Sequence, residues 1–206
     1  MQRKTRKNFH GHKKARGLAL LEILIAIGIL GLIAAGVATL ASRTFEKQDL
    51  KDIQTDMTDV SIALQQVYSR AAQYVDTSSL SVQEFADSKA IDPSVAINPL
   101  TNSAYLFSVA KVRATDTLDT GFVLGIDNAN QTACNALITG PLLDDADYIT
   151  VMDTGGSIAD QTFDVAGTID IKNTTDGINQ DIYDPTIVLT LCPSATDQNL
   201  IVIGYK

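Results

Sequence analysis

Histidine and cysteine are nearly missing from this chain of 206 residues. Its two histidines, His10 and His12, lie in the first seventeen residues, and Cys134 and Cys192 are its only cysteines. From residue 18 onward no imidazole remains for acid–base chemistry, and two cysteines with no histidine nearby make a poor zinc site. Also missing are a nucleophile elbow, a P-loop and a dinucleotide-binding fingerprint. We therefore read no enzyme, no catalytic or metal residue and no cofactor. Acidic residues are absent from residues 1–17, which hold seven bases; from Leu18 onward nine bases face 24 acids. Such an acidic remainder argues against nucleic-acid binding, which needs clustered Lys and Arg on phosphates. Two acidic groups, Asp116 with Asp119 and Asp144 with Asp145 and Asp147, supply oxygen atoms suited to calcium. Neither follows the EF-hand spacing, so both read as solvated loop charge.

What is abundant is apolar sequence near the amino end. Residues 23–41 carry no charge and a single polar side chain, Thr39. As a helix they would cover ~28 Å, close to the thickness of a hydrocarbon core. Bases before this run keep the amino end in the cytoplasm and send the acidic bulk across the membrane. Glu22 at its head is the difficulty, because a carboxylate near the centre of a span costs ~2.5–3.5 kcal/mol. A removable signal peptide, with Gly36 and Ala38 as its small-x-small site, has no use for that charge. A plain single-span anchor with Glu22 near the interface lowers the cost but supplies no reason for it.

The stretch "RG" followed by "LALLEILIAIGILGLIAAGVATLASR" resembles the processing and assembly segment of type IV pilins. The match is to the type IVb branch, which includes the toxin-coregulated, bundle-forming and conjugative thin-pilus pilins. The first seventeen residues make a long leader, the following residue is Leu rather than Phe, and Gly28, Gly31 and Gly36 recur at familiar places. Where type IVa pilins commonly bend at a proline, this chain has Thr39. The resemblance is strongest over residues 13–75.

That resemblance implies cleavage by a prepilin peptidase between Gly17 and Leu18, followed by methylation of the new amine on Leu18. It also implies a role for Glu22, whose carboxylate would meet the amine of a neighbouring subunit in a bundle of such helices. Pairing offsets much of the cost of burying either charge. The implied partners are the chain itself as a helical homopolymer, the peptidase, an inner-membrane assembly machinery and an outer-membrane secretin. The precursor would sit in the inner membrane with its carboxy-terminal domain in the periplasm, and the assembled product outside the cell. The preferred function is a structural subunit, the major pilin of a type IVb pilus. A minor pilin or secretion pseudopilin is the alternative, and a membrane-anchored binding protein that never polymerises is the third.

Past the apolar run the pattern changes. Leu50, Ile53, Met57, Val60, Leu64, Val67, Ala71 and Tyr74 fall at steps of three and four, one apolar stripe that predicts continuation of the helix over 18–74. The domain division is a leader at 1–17, a membrane and filament-core half at 18–42, an amphipathic half at 43–75 and a globular domain at 76–206. Within the last, a short helix is expected at 82–90 and an extended loop at 91–103. Strands are expected at 105–113, 121–126, 148–152, 186–192 and 200–205. Asn130 is placed to cap a helix through Thr139 that carries Cys134. The fold class is α+β, with an antiparallel sheet laid on the amphipathic half of the long helix. In an oxidising compartment Cys134 and Cys192 form a disulfide bounding region 134–192.

Overall fold

The computed structural model describes residues 16–153, 156–159, 161–163, 170–175, 177–179, 190–194, 196 and 198–206. Helix α1 runs Arg16–Val67, and the chain divides after Phe45 into two compact units. In the first unit α1 is the only described element. In the second, from Glu46 on, the same helix supplies one wall of the hydrophobic core.

The periodicity explains that wall. Leu50, Ile53, Met57, Val60 and Leu64 are all buried, and their spacing sets them on one face. They pack with Phe107, Phe122, Leu124, Ile126 and Ile203, side chains brought in by the sheet. The predicted stripe runs past the helix, however. Tyr68 N–H still donates to Leu64 O at 3.0 Å, and the chain then turns, Ala71 N–H donating to Tyr68 O at 2.8 Å. Val67 is 46% exposed and Ala71 is exposed as well. Tyr74 reaches the core from a loop, not from the expected last helical turn. Its N–H donates to Asp119 O at 2.8 Å, and its ring lies 5.0 Å from Tyr68 and 4.9 Å from Phe122. An apolar side chain at the next helical step therefore signalled contact with the core and not helix.

After α1 come α2 (Gln83–Asp87), inside the expected short helix, and a 3-10 turn at Pro93–Val95 whose amide Ser94 N is capped by Asp92. The expected loop at 91–103 also holds a small hairpin, β1 (Ile97–Asn98) with β2 (Ser103–Ala104). The main sheet is built from β3 (Leu106–Lys111), β4 (Gly121–Ala129), β5 (Tyr148–Asp153), β6 (Gln161–Thr162), β7 (Asp170–Asn173), β8 (Ile178–Asn179) and β9 (Asn199–Tyr205). Its order is β6-β3-β4-β9-β5-β7-β8. Every pair is antiparallel except β3 with β6, which makes the sheet mixed where an antiparallel one was expected. A two-residue strand that pairs 51 positions away carries no local pattern to announce its direction. Four of the five expected strands coincide with β3, β4, β5 and β9. Of the fifth, residues 186–189 lie outside the described residues, while Thr190 and Leu191 are helical.

Central strand β9 is buried along its whole length, as its unbroken "NLIVIGY" suggests for a strand covered on both faces. One face meets α1; the other holds a second cluster of Ala110, Val123, Tyr148, Ile158, Phe163, Leu200 and Val202. Gly204 makes that second face possible, because a Cβ there would stand 2.6 Å from the Phe163 ring. Between strands, α3 (Gln131–Ile138) begins at Asn130, whose Oδ1 accepts from Ala133 N at 2.8 Å, and α4 (Leu142–Asp145) follows. Cys134 on α3 is joined to Cys192 with 6.0 Å between Cα atoms.

Candidate functional site: the amino-terminal helix

Gly17 and Leu18 fall in the first turn of α1, and Glu22 follows Leu18 by four residues, about one helical turn. From Leu20 to Leu40 the large apolar side chains stand exposed, including Leu20, Ile23, Leu24, Ile27, Leu30, Leu32 and Leu40. The most apolar window of this helix has a mean hydropathy of 2.6 and none of it is buried by the rest of the described chain. By length and composition the helix is able to cross a membrane. Glu22 is exposed as well and makes no hydrogen bond or ion pair among the described residues.

The few polar side chains in and after this run are settled locally. Thr39 Oγ1 donates to Ala35 O at 3.0 Å, Ser42 Oγ to Thr39 O at 3.0 Å, and Thr44 Oγ1 to Leu40 O at 2.9 Å. Each hydroxyl thus spends its proton on the preceding turn, the arrangement by which a helix carries such groups into an apolar medium. The glycines have no such internal reason. A Cβ at Gly28, Gly31 or Gly36 would meet no atom within 4 Å, so nothing in the described chain requires their small size. Close approach of another helix would require it.

Of the acidic residues considered for calcium, Asp144 and Asp145 lie in α4 and not in a loop, and Asp116 and Asp147 have other occupations. Asp116 Oδ2 accepts from Arg113 N at 2.9 Å. Asp147 faces Lys206 Nζ at 3.4 Å and accepts from Lys206 N and the Thr174 hydroxyl at 3.2 and 3.1 Å. Among the described residues no three His, Cys, Asp or Glu side chains converge on a metal position. Sequence reading missed the structural use of Asp147, since its partners come from 27 and 59 residues further along the chain.

Comparison with known proteins bears on this segment directly. Residues 12–38 match the prokaryotic N-terminal methylation motif, a span that contains Gly17, Leu18 and Glu22. Two curated toxin coregulated pilins of Vibrio cholerae are each 28% identical to the chain, one over 145 and the other over 165 residues. In sequence the chain is similar to toxin coregulated pilin. The alignments take in 67% and 77% of the chain and 63% and 71% of these pilins. Motif and relatives agree with the type IVb resemblance drawn from the "RG" and "LALLEILIAIG" stretches. The crystal structure of TcpA, a type IV pilin from Vibrio cholerae El Tor biotype, superposes with a TM-score of 0.64 at 20% identity. That match covers 77% of the chain and 99% of TcpA. An apolar amino-terminal helix with a mixed sheet is thus the type IV pilin fold.

Proposed function

We propose that the chain is a structural subunit of a type IVb pilus, its major pilin, cut by a prepilin peptidase after Gly17 and polymerised through α1. The observation that carries this reading is the uncovered apolar half of α1 with Glu22 at its head. An apolar surface running all round a helix demands a medium that surrounds it, first lipid and then the same helices of other copies. In that bundle Glu22 of one subunit receives the methylated amine of Leu18 from a neighbour, and an expensive isolated charge becomes a paired one that sets the register. Insertion by an inner-membrane machinery, passage through an outer-membrane secretin and an extracellular filament complete the reading. The globular domain, tied by Cys134 and Cys192, would form the filament surface.

The deciding experiment is mass spectrometry of sheared surface filaments. The dominant protein should be this chain starting at a methylated Leu18. Filaments dominated by another pilin, with this chain present in trace amount, would make it a minor subunit; a full-length chain still beginning at Met1 would end the proposal.

A further inference from the structure

A cavity of about 340 Å³ opens beside the β1–β2 hairpin, where its loop meets the β4 bulge and the start of α3. Its walls are Leu100, Thr101, Asn128, Asn130 and Ala133, and its size falls at the lower end of the ~300–1,000 Å³ usual for small-molecule sites. It lies wholly in the second unit and uses no residue of α1.

Hydrogen bonds behind the walls determine which polar atoms are left for a ligand. Ser103 Oγ gives its one proton to Asp127 Oδ1 at 3.1 Å. In the 2.6 Å contact between Ser103 and Thr101 the proton therefore belongs to Thr101, whose oxygen keeps only acceptor capacity. Asn128 donates Nδ2 to Asp127 Oδ2 at 2.7 Å, which leaves its Oδ1 as an acceptor. Asn130 spends its Oδ1 on Ala133 N, which leaves its Nδ2 as a donor. The amide orientations follow from these partners. Among the described residues the three remaining groups have no further protein partner. Behind the wall, Asn98 is 1% exposed; its Oδ1 holds Leu100 N at 3.0 Å while its Nδ2 is unpartnered.

Two ligand classes are disfavoured by this arrangement. Among the described residues no cation lines the cavity to hold a phosphate or carboxylate, and the nearby carboxylate of Asp127 is already engaged by two donors. What remains is a neutral rim of two acceptors and one donor beside the half-buried apolar side chain of Leu100. We propose that this cavity binds a neutral polyhydroxylated ligand of the pyranose sugar type. Ligand hydroxyls donate to Thr101 Oγ1 and Asn128 Oδ1, another accepts from Asn130 Nδ2, and the C–H face rests on Leu100.

The test uses the full chain in micelles of a detergent without a sugar headgroup. Saturation-transfer NMR is run with methyl β-D-galactopyranoside, methyl α-D-mannopyranoside and N-acetyl-D-glucosamine, and inorganic phosphate serves as competitor. At least one sugar should bind saturably and phosphate should not displace it. Thr101→Val removes an acceptor with little change of shape, Asn128→Gly suits the left-handed backbone there (φ 55°), and Asn130→Asp keeps the helix cap while removing the donor. Each should weaken binding about five-fold, the loss of one ordinary hydrogen bond. No saturable binding by any of the three sugars, binding indifferent to all three substitutions, or displacement by phosphate would each overturn the proposal. Because the readout needs no filament, its failure is separate from failure of the pilin reading.

Discussion

The two halves of α1 both carry large apolar side chains, yet they end in opposite circumstances. From Leu20 to Leu40 the large side chains are exposed, whereas Leu50, Ile53, Met57, Val60 and Leu64 are buried in the core of their own domain. Pattern makes the difference and not hydrophobicity alone. The second half alternates apolar steps of three and four with Asp49, Asp52, Asp56 and Asp59, so one face suits a sheet and the others suit water. The first half has no polar face to turn outward. A striped helix names a partner within the chain; an apolar helix without stripes names one outside it.

The largest expected effect comes from removing the one charge in the uncovered half. On the proposed reading, Glu22→Ala leaves insertion and cleavage after Gly17 intact, since an isolated span is better off without the carboxylate. Assembly is lost, because each neighbouring amine then enters the bundle without its counter-charge. Immunoblots should show subunits of processed size in the inner membrane while electron microscopy finds few or no filaments. Abundant normal filaments from processed Glu22→Ala subunits would show that the two halves differ in burial only and that the glutamate plays no part in assembly.

Matched truncations test the comparison within the helix itself. Met57→Ala should destabilise the globular domain by ~2–5 kcal/mol, the range for a buried side chain whose site cannot fully collapse. Leu32→Ala, 78% exposed in the wild type, should leave denaturation of that domain unchanged. Equal losses at both positions would mean that the first half is covered by its own chain after all.

Much of this was legible from sequence because the decisive signals were local. The cap at Asn130, the stripe from Leu50 to Leu64 and the apolar run each announce themselves within a few residues. The helix end was not legible, since "YSRAAQY" holds neither glycine nor proline and the Tyr74 N–H beyond the turn donates to Asp119 O, far along the chain. Nor was the β3–β6 pairing, which rests on two residues and on Phe163 N–H donating to Lys111 O at 2.9 Å. At the amino terminus the sequence names Gly17, Leu18 and Glu22, and on the proposed reading their partner lies in another molecule.

The covalent tie comes next in size. Cys134→Ser should lower the stability of the globular domain by ~2–4 kcal/mol, because a loop spanning 58 positions regains its freedom in the unfolded chain. Proteolysis should then begin within residues 134–192, while the exposed half of α1 keeps its behaviour in membranes. Thiol labelling that found both wild-type cysteines reduced in the folded, exported protein would remove the basis of this expectation.

The smallest effect comes from a second glutamate whose situation reverses that of Glu22. Glu84, on α2, accepts from the Ser78 hydroxyl at 2.6 Å and from the backbone N–H groups of Ser78 and Ser79 at 3.1 and 2.9 Å. Donors from Ser78 and Ser79 hold its carboxyl down to about 2, from an ordinary 4.5. A depressed carboxyl contributes stability that is fully present above its unfolded value and fades as pH falls from there through the folded one. Glu84 is only partly buried and its carboxylate meets solvent, so water screens much of the contribution and the effect on stability is small. Glu84→Gln should therefore denature slightly earlier than wild type at neutral pH, and the two should converge as pH falls from about 4.5 to about 2. Chemical-denaturation midpoints across that interval provide the check, with the difference between the proteins as the readout. A gap that stayed constant down to the acid end would show that Glu84 holds the 78–79 loop by shape alone and not by its charge.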